Sequence, residues 1–222
     1  MVLGEETMDD VVSSPQSGLA ATAKEELPSN DALELMESIL QRLQPADRHE
    51  IRDMITQRGW FSGALLMMSG LFWWIAVKQG GESLGDSNIP DSMLGAFDFP
   101  TMALMVPAIV FIATMISSIG RERGLASASN IGGLLVILAV YYTLEPLGFS
   151  IITDNINMQD GIMATGRLLA LAVMIHYSAR FFIDAILLQW VRAQMIHMPV
   201  ELIPTMSGSS VEGQADEVGP AA

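Results

Sequence analysis

WFSGALLMMSGLFWWIAV, residues 60–77, runs for eighteen residues without a formal charge. Wound as an α-helix at ~1.5 Å per residue it extends about 27 Å, close to the ~30 Å of a bilayer's hydrocarbon core. Trp60 stands at one boundary, and Trp73, Trp74 and Lys78 stand near the other. Amphipathic rings and long ammonium side chains are favoured at those depths. Gly63 and Gly70 lie two turns apart on one face. Small residues there let a neighbouring helix approach closely, whether from this chain or from another subunit.

Three further stretches repeat the pattern, at about 100–119, 131–147 and 168–191. Pro100 suits the first turn of the second span, while Pro107 inside it predicts a kink. Glu145-Pro146-Leu147-Gly148 reads as a stop for the third span. Between the spans lie the polar stretches 79–98, 121–130 and 150–160. The fourth helix is expected to start near Gly161, with Arg167 and Arg192 at the ends of its membrane portion and Pro199 and Pro204 closing it.

Ahead of the first span, Leu33, Met36, Leu40 and Leu43 recur at helical spacing, with Ser29, Asn30 or Asp31 as a cap. Pro45 then interrupts, and Ile51, Met54 and Ile55 mark a second short helix. The expected organisation is thus a disordered acidic tail (1–30), a cytoplasmic amphipathic helical hairpin (31–58), a four-helix transmembrane domain (59–204) and a second disordered acidic tail (205–222). This is an all-α integral membrane protein. Arg48, Arg52, Arg58, Arg121, Arg123 and Arg192 flank one side of the spans, against Lys78 and Arg167 on the other. The positive-inside bias predicts a multi-pass plasma-membrane protein with both termini cytoplasmic.

Composition narrows the function. Half of the residues are hydrophobic and 16% are charged, against about a quarter in an ordinary soluble domain. The net charge of −14 argues against a nucleic-acid partner, and the lack of cysteine excludes disulfides and thiolate chemistry. Met1–Asp10 carries acids where a signal peptide needs bases. His49, His176 and His197 have no metal-ligand spacing, and no HExxH, GxSxG or P-loop occurs. No catalytic residue, metal or cofactor is expected.

The polar feature of the apolar region is His176, Arg180 and Asp184, four apart on one stripe of the fourth helix. Charges at that depth normally face protein or water. One reading is a structural polar seam in which Arg180 pairs with Asp184 and His176 donates across the bundle, for example to Tyr142. The other is a proton or anion pathway. Glu145, at the outer end of its helix, is expected to be solvated at the interface.

Phe99-Pro100 opens the second span, Tyr142-Thr143-Leu144-Glu145-Pro146-Leu147-Gly148-Phe149 ends the third, and Tyr177 and Phe181 precede an exit at Met198-Pro199 to Ile203-Pro204. In this order, over about residues 59–204, the chain resembles the small membrane subunit of tripartite tricarboxylate transporters, the TctB type. It departs from that pattern in the polar stretch after Phe149 and in its acidic N-terminal extension. The resemblance implies a non-catalytic accessory subunit beside a large multi-spanning permease that carries the substrate. Residues 39–51 are similar to the helical hairpin ahead of the spans in some membrane-bound regulatory proteins. That likeness implies instead a membrane-anchored regulator or scaffold acting through the hairpin.

Overall fold

The computed structural model describes residues 29–45, 48–153 and 156–197. The expected tails, together with Pro199 and Pro204, fall largely or wholly outside those residues. Five helices account for nearly all of the described chain: α1 (Asn30–Leu43), α2 (Arg48–Trp73), α3 (Phe99–Glu122), α4 (Ala126–Ile152) and α5 (Met158–His197). The last four are long and apolar enough to cross a membrane.

Several helix boundaries have a local cause. Ser29 caps α1, its Oγ accepting from Ala32 N at 3.3 Å, and Gln44 closes it in the left-handed conformation with φ 47°. Asp98 caps α3 through Thr101 N at 3.1 Å, with Pro100 in the first turn as expected. α2 runs without a break from Arg48 through Gly59 to Trp73, so the division expected at residue 59 falls inside one helix. A lone glycine costs a helix only about 1 kcal/mol, too little to stop it. Beyond Trp73 the helix widens into a π-helical turn, Trp74–Gln79, ending where Gly80 N bonds Ile75 O at 2.9 Å.

Glu145-Pro146 does not stop α4, which continues to Ile152. Proline removes a donor and pushes away the carbonyl one turn back. The displaced ladder is repaired from the neighbouring helix, because Leu147 N donates to Thr165 Oγ1 of α5 at 3.2 Å. A hydroxyl from a packed neighbour is the usual way a membrane helix tolerates an internal proline.

The helices form an antiparallel bundle whose register is read from its cross-contacts. Along α2 and α5, Ala76 meets Arg167, Ser62 meets Ser178, and Phe61 stacks near Phe181 with ring centroids 5.9 Å apart. Trp60 is therefore level with the turn around Phe181. α5 has 40 residues, about 60 Å of helix, twice the hydrocarbon thickness. Its last turns run past the level of Trp60, and α1 covers them. Met36, Ile39 and Leu40 of α1 and Ile51 of α2 form one buried cluster with Leu188, Val191 and Met195. The end of the stretch expected to span, 168–191, is thus partly covered by protein. A second cluster fills the bundle at the other end, built from Val77, Phe99, Met102, Val106, Tyr142, Leu168 and Leu171.

Glycine sets the closest helix approach, at positions other than those the sequence singles out. A Cβ on Gly132 of α4 would stand 2.9 Å from Ser117 N and 3.0 Å from Ala113 O of α3. Both neighbours are backbone and cannot rotate away. Gly132→Ala is expected to force α3 and α4 apart and cost about 2 kcal/mol, read as a lower unfolding midpoint in detergent. Gly63 and Gly70 have nothing within 4 Å of such a Cβ. They play no part in packing the described helices against one another.

Candidate functional site

The polar residues of the bundle gather at three levels. The first is beside α1. Asp184 of α5 is buried, yet its partner is not Arg180 one turn away. Arg42 of α1 reaches its Oδ1 at 3.0 Å, and Arg58 of α2 makes a short ion pair with Oδ2. Arg42 also pairs with Glu122, at the end of α3, at 2.6 Å. Four helices are tied by one network of two guanidinium groups and two carboxylates. A helical i, i+4 pair was available to Asp184, but Arg58 approaches the same carboxylate from the facing helix. Arg180 is exposed and makes no ion pair among the described residues. At the level of Trp60 its guanidinium can extend toward the end where Arg58 and Arg121 lie.

At the second level, near the Ser62–Ser178 pair of α2 and α5, one polar contact joins α3 to α5. Thr114 of α3 donates to Val110 O at 2.8 Å, which commits its proton. Its oxygen therefore accepts from Nδ1–H of His176 at 3.1 Å. That hydrogen bond, rather than one to Tyr142, holds the imidazole, and Nε2 is left as the acceptor. The ring borders a shallow groove of about 420 Å³ among α3, α4 and α5, lined mainly by Val110, Val136, Leu169 and Val173. No side-chain hydrogen bond or ion pair among the described residues joins any two of His176, Arg180 and Asp184. The stripe is continuous along α5, and its members take different partners.

The third level, at the far end of the bundle, is the most enclosed. Arg167 of α5, 6% exposed, makes a short ion pair with Asp86 from the α2–α3 connection, donates to Ala76 O at 2.9 Å and lies 4.7 Å above the Phe99 ring. Burial raises the Asp86 carboxyl above its ordinary value, and the Arg167 guanidinium offsets part of that rise. Asn88 donates to Asp160 at 3.1 Å, adding a second tie between this connection and α5. Glu145, expected to be solvated, is buried. It accepts from Met93 N at 2.6 Å and from Tyr141 Oη at 3.2 Å, while Tyr142 Oη donates to Leu94 O at 2.9 Å. Most of the motif-like residues thus have a structural task. Phe99 supports the guanidinium, Pro100 starts α3, Glu145 holds the loop at residues 92–97, and Pro146 packs against Gly161. Leu147 takes the repaired backbone bond, while Gly148 and Phe149 are half-buried in the continuing helix.

Compared with family models, curated proteins and solved structures, the chain matches none. What it is rests on its physical features. Its described residues are all-helical, with four helices long and apolar enough to cross a membrane. Among the described residues no three His, Asp or Glu side chains converge as a metal ion requires. In the sequence Arg58 stood out only as a charge flanking the spans, and nothing singled out Arg42, Glu122 or Asp86. One signal pointed to the network beside α1. The apolar positions of α5 continue beyond a bilayer's thickness, so something in the protein had to cover them and reach Asp184.

Proposed function

We propose that this chain is a non-catalytic accessory subunit of a secondary carboxylate-uptake transporter in the plasma membrane, with both termini cytoplasmic. It packs against a larger permease subunit that carries the substrate. The observation that carries this reading is the empty space around Gly63 and Gly70 on α2, the least enclosed of the four long helices. In hydrocarbon no hydrophobic force drives helices together, so close approach at small residues supplies association. The described helices do not use these glycines, which leaves them for a partner. Support also comes from the ordered motifs at Phe99-Pro100 and Glu145–Phe149, and the arginines flanking one side of the bundle support the orientation.

The test is a mild-detergent purification of wild type and of Gly63→Leu/Gly70→Leu. The doubly substituted chain is expected to keep its expression and unfolding midpoint within about 0.5 kcal/mol of wild type and to lose a co-purifying multi-spanning permease. Retention of the same partner would exclude this face as the contact, and absence of any permease from wild type would exclude the reading itself.

A membrane-anchored scaffold remains the rival. One observation favours it: α1 is held firmly, and its acidic side, Glu34 and Glu37, faces outward. Removing α1 would uncover Leu188 and Val191, so Glu34→Lys/Glu37→Lys is the cleaner probe. On the scaffold reading this variant loses a soluble partner and leaves the bundle intact.

A further inference from the structure

Two cavities adjoin where α1 crosses the ends of α3 and α5. The inner one, about 260 Å³, is lined mainly by Met115, Ile119, Ile183, Ile186 and Leu187. The outer one, about 750 Å³, is lined by Asp31, Glu34, Ser38, Gly124 and Leu125 among others. Leu35, Glu122, Arg123 and Trp190 border both. A single molecule can therefore occupy an apolar compartment and a charged one at once.

Position and charge say what kind of molecule fits. Ile119 and Ile186 are 42% and 45% exposed on the outer surface, so the apolar compartment opens toward the side of the bundle suited to lipid. An acyl chain reaches such a space from the adjoining hydrocarbon, whereas a peptide would carry unpaired backbone groups into it. Trp190, an amphipathic ring of the kind that settles at headgroup depth, stands between the compartments. At the charged mouth Glu122 is committed to Arg42 at 2.6 Å. Asp31 and Glu34 remain as free carboxylates and Arg123 as a free guanidinium among the described residues. Two acceptors and one cation repel a purely anionic headgroup. They suit a headgroup with a primary ammonium as donor and a phosphate as acceptor.

We propose that this double cavity is a binding site for a phospholipid of the phosphatidylethanolamine type from the leaflet beside α1. Its acyl chain lies against Ile119, Ile183 and Ile186, its ammonium on Asp31 and Glu34, and its phosphate on Arg123. The proposal does not rest on the transporter reading.

The test uses the full chain with Trp60, Trp73 and Trp74 replaced by Phe, leaving Trp190 as the reporter. It is reconstituted in phosphatidylcholine vesicles containing a small, increasing fraction of lipid brominated on its acyl chain. Trp190 quenching is expected to half-saturate at about threefold to tenfold lower fraction of brominated phosphatidylethanolamine than of brominated phosphatidylglycerol or phosphatidylcholine. Asp31→Asn/Glu34→Gln, at exposed positions, is expected to abolish that preference without moving the unfolding midpoint. Ile186→Phe, which narrows the apolar compartment, is expected to weaken quenching by all three lipids. Equal quenching by the three headgroups, a preference that survives the double substitution, or no quenching at all would each overturn the site.

Discussion

Replacing Arg167 by alanine is expected to cost about 3–5 kcal/mol, the cost of breaking a buried ion pair from one side. Both side chains lie almost wholly out of solvent, with 6% of Arg167 and 9% of Asp86 exposed. Loss of the guanidinium strands the Asp86 carboxylate, whose Oδ2 already has no hydrogen-bond partner. It also releases Ala76 O within the π-helical turn and uncovers the Phe99 ring. Arg167→Lys is expected to recover only part of the loss, because a lysine cannot span Asp86, the carbonyl and the ring with one planar group. Thermal unfolding in detergent measures the effect, and protease cleavage within residues 80–98 should accompany it. An unfolding midpoint unchanged from wild type would mean that Asp86 is hydrated.

The second large effect is expected at Asp184. Asp184→Ala leaves Arg58 and Arg42 facing each other without their shared carboxylate, at a cost of about 3 kcal/mol. The value sits at the low end because Arg42, 41% exposed, and Arg58, 23% exposed, can be partly hydrated. Arg58→Ala should cost less, since Asp184 keeps Arg42. Arg180→Ala should change stability by no more than about 0.5 kcal/mol. That order, with Arg180 last, separates the observed network from the i, i+4 pairing that spacing suggests. If Arg180→Ala destabilised the chain as much as Asp184→Ala, the assignment of Arg42 and Arg58 would fail. Loosening of α1 is the local sign to look for, as protease cleavage within residues 29–45.

The long helices were legible because their cause is local. Eighteen uncharged residues beginning at Trp60 have no other stable way to sit in hydrocarbon, where every backbone group must be satisfied within the segment. Pro100 behind Asp98 and the periodic apolar positions of α1 are equally local signals. Pro146 misled because its effect depends on Thr165, a residue on another helix that a window around the proline does not contain. Gly63 and Gly70 drew attention by spacing. Which glycines touch a neighbour depends on how α2 is rotated in the bundle, and Gly132 does touch one while they do not.

The polar residues divide along the same line. Sequence alone determined that His176, Arg180 and Asp184 share a stripe of one helix, that arginines crowd one end of the bundle, and that Glu145 stands where its helix was expected to stop. Only the tertiary structure decided their partners. Asp184 goes to Arg42 and Arg58, His176 to Thr114, Glu145 to Met93 N, and Arg167 to Asp86. The physical reason is range. Helix formation in hydrocarbon is settled by the hydrogen bonds and transfer energies of neighbouring residues. A buried charge takes whichever counter-charge the packing of distant segments brings within about 3 Å.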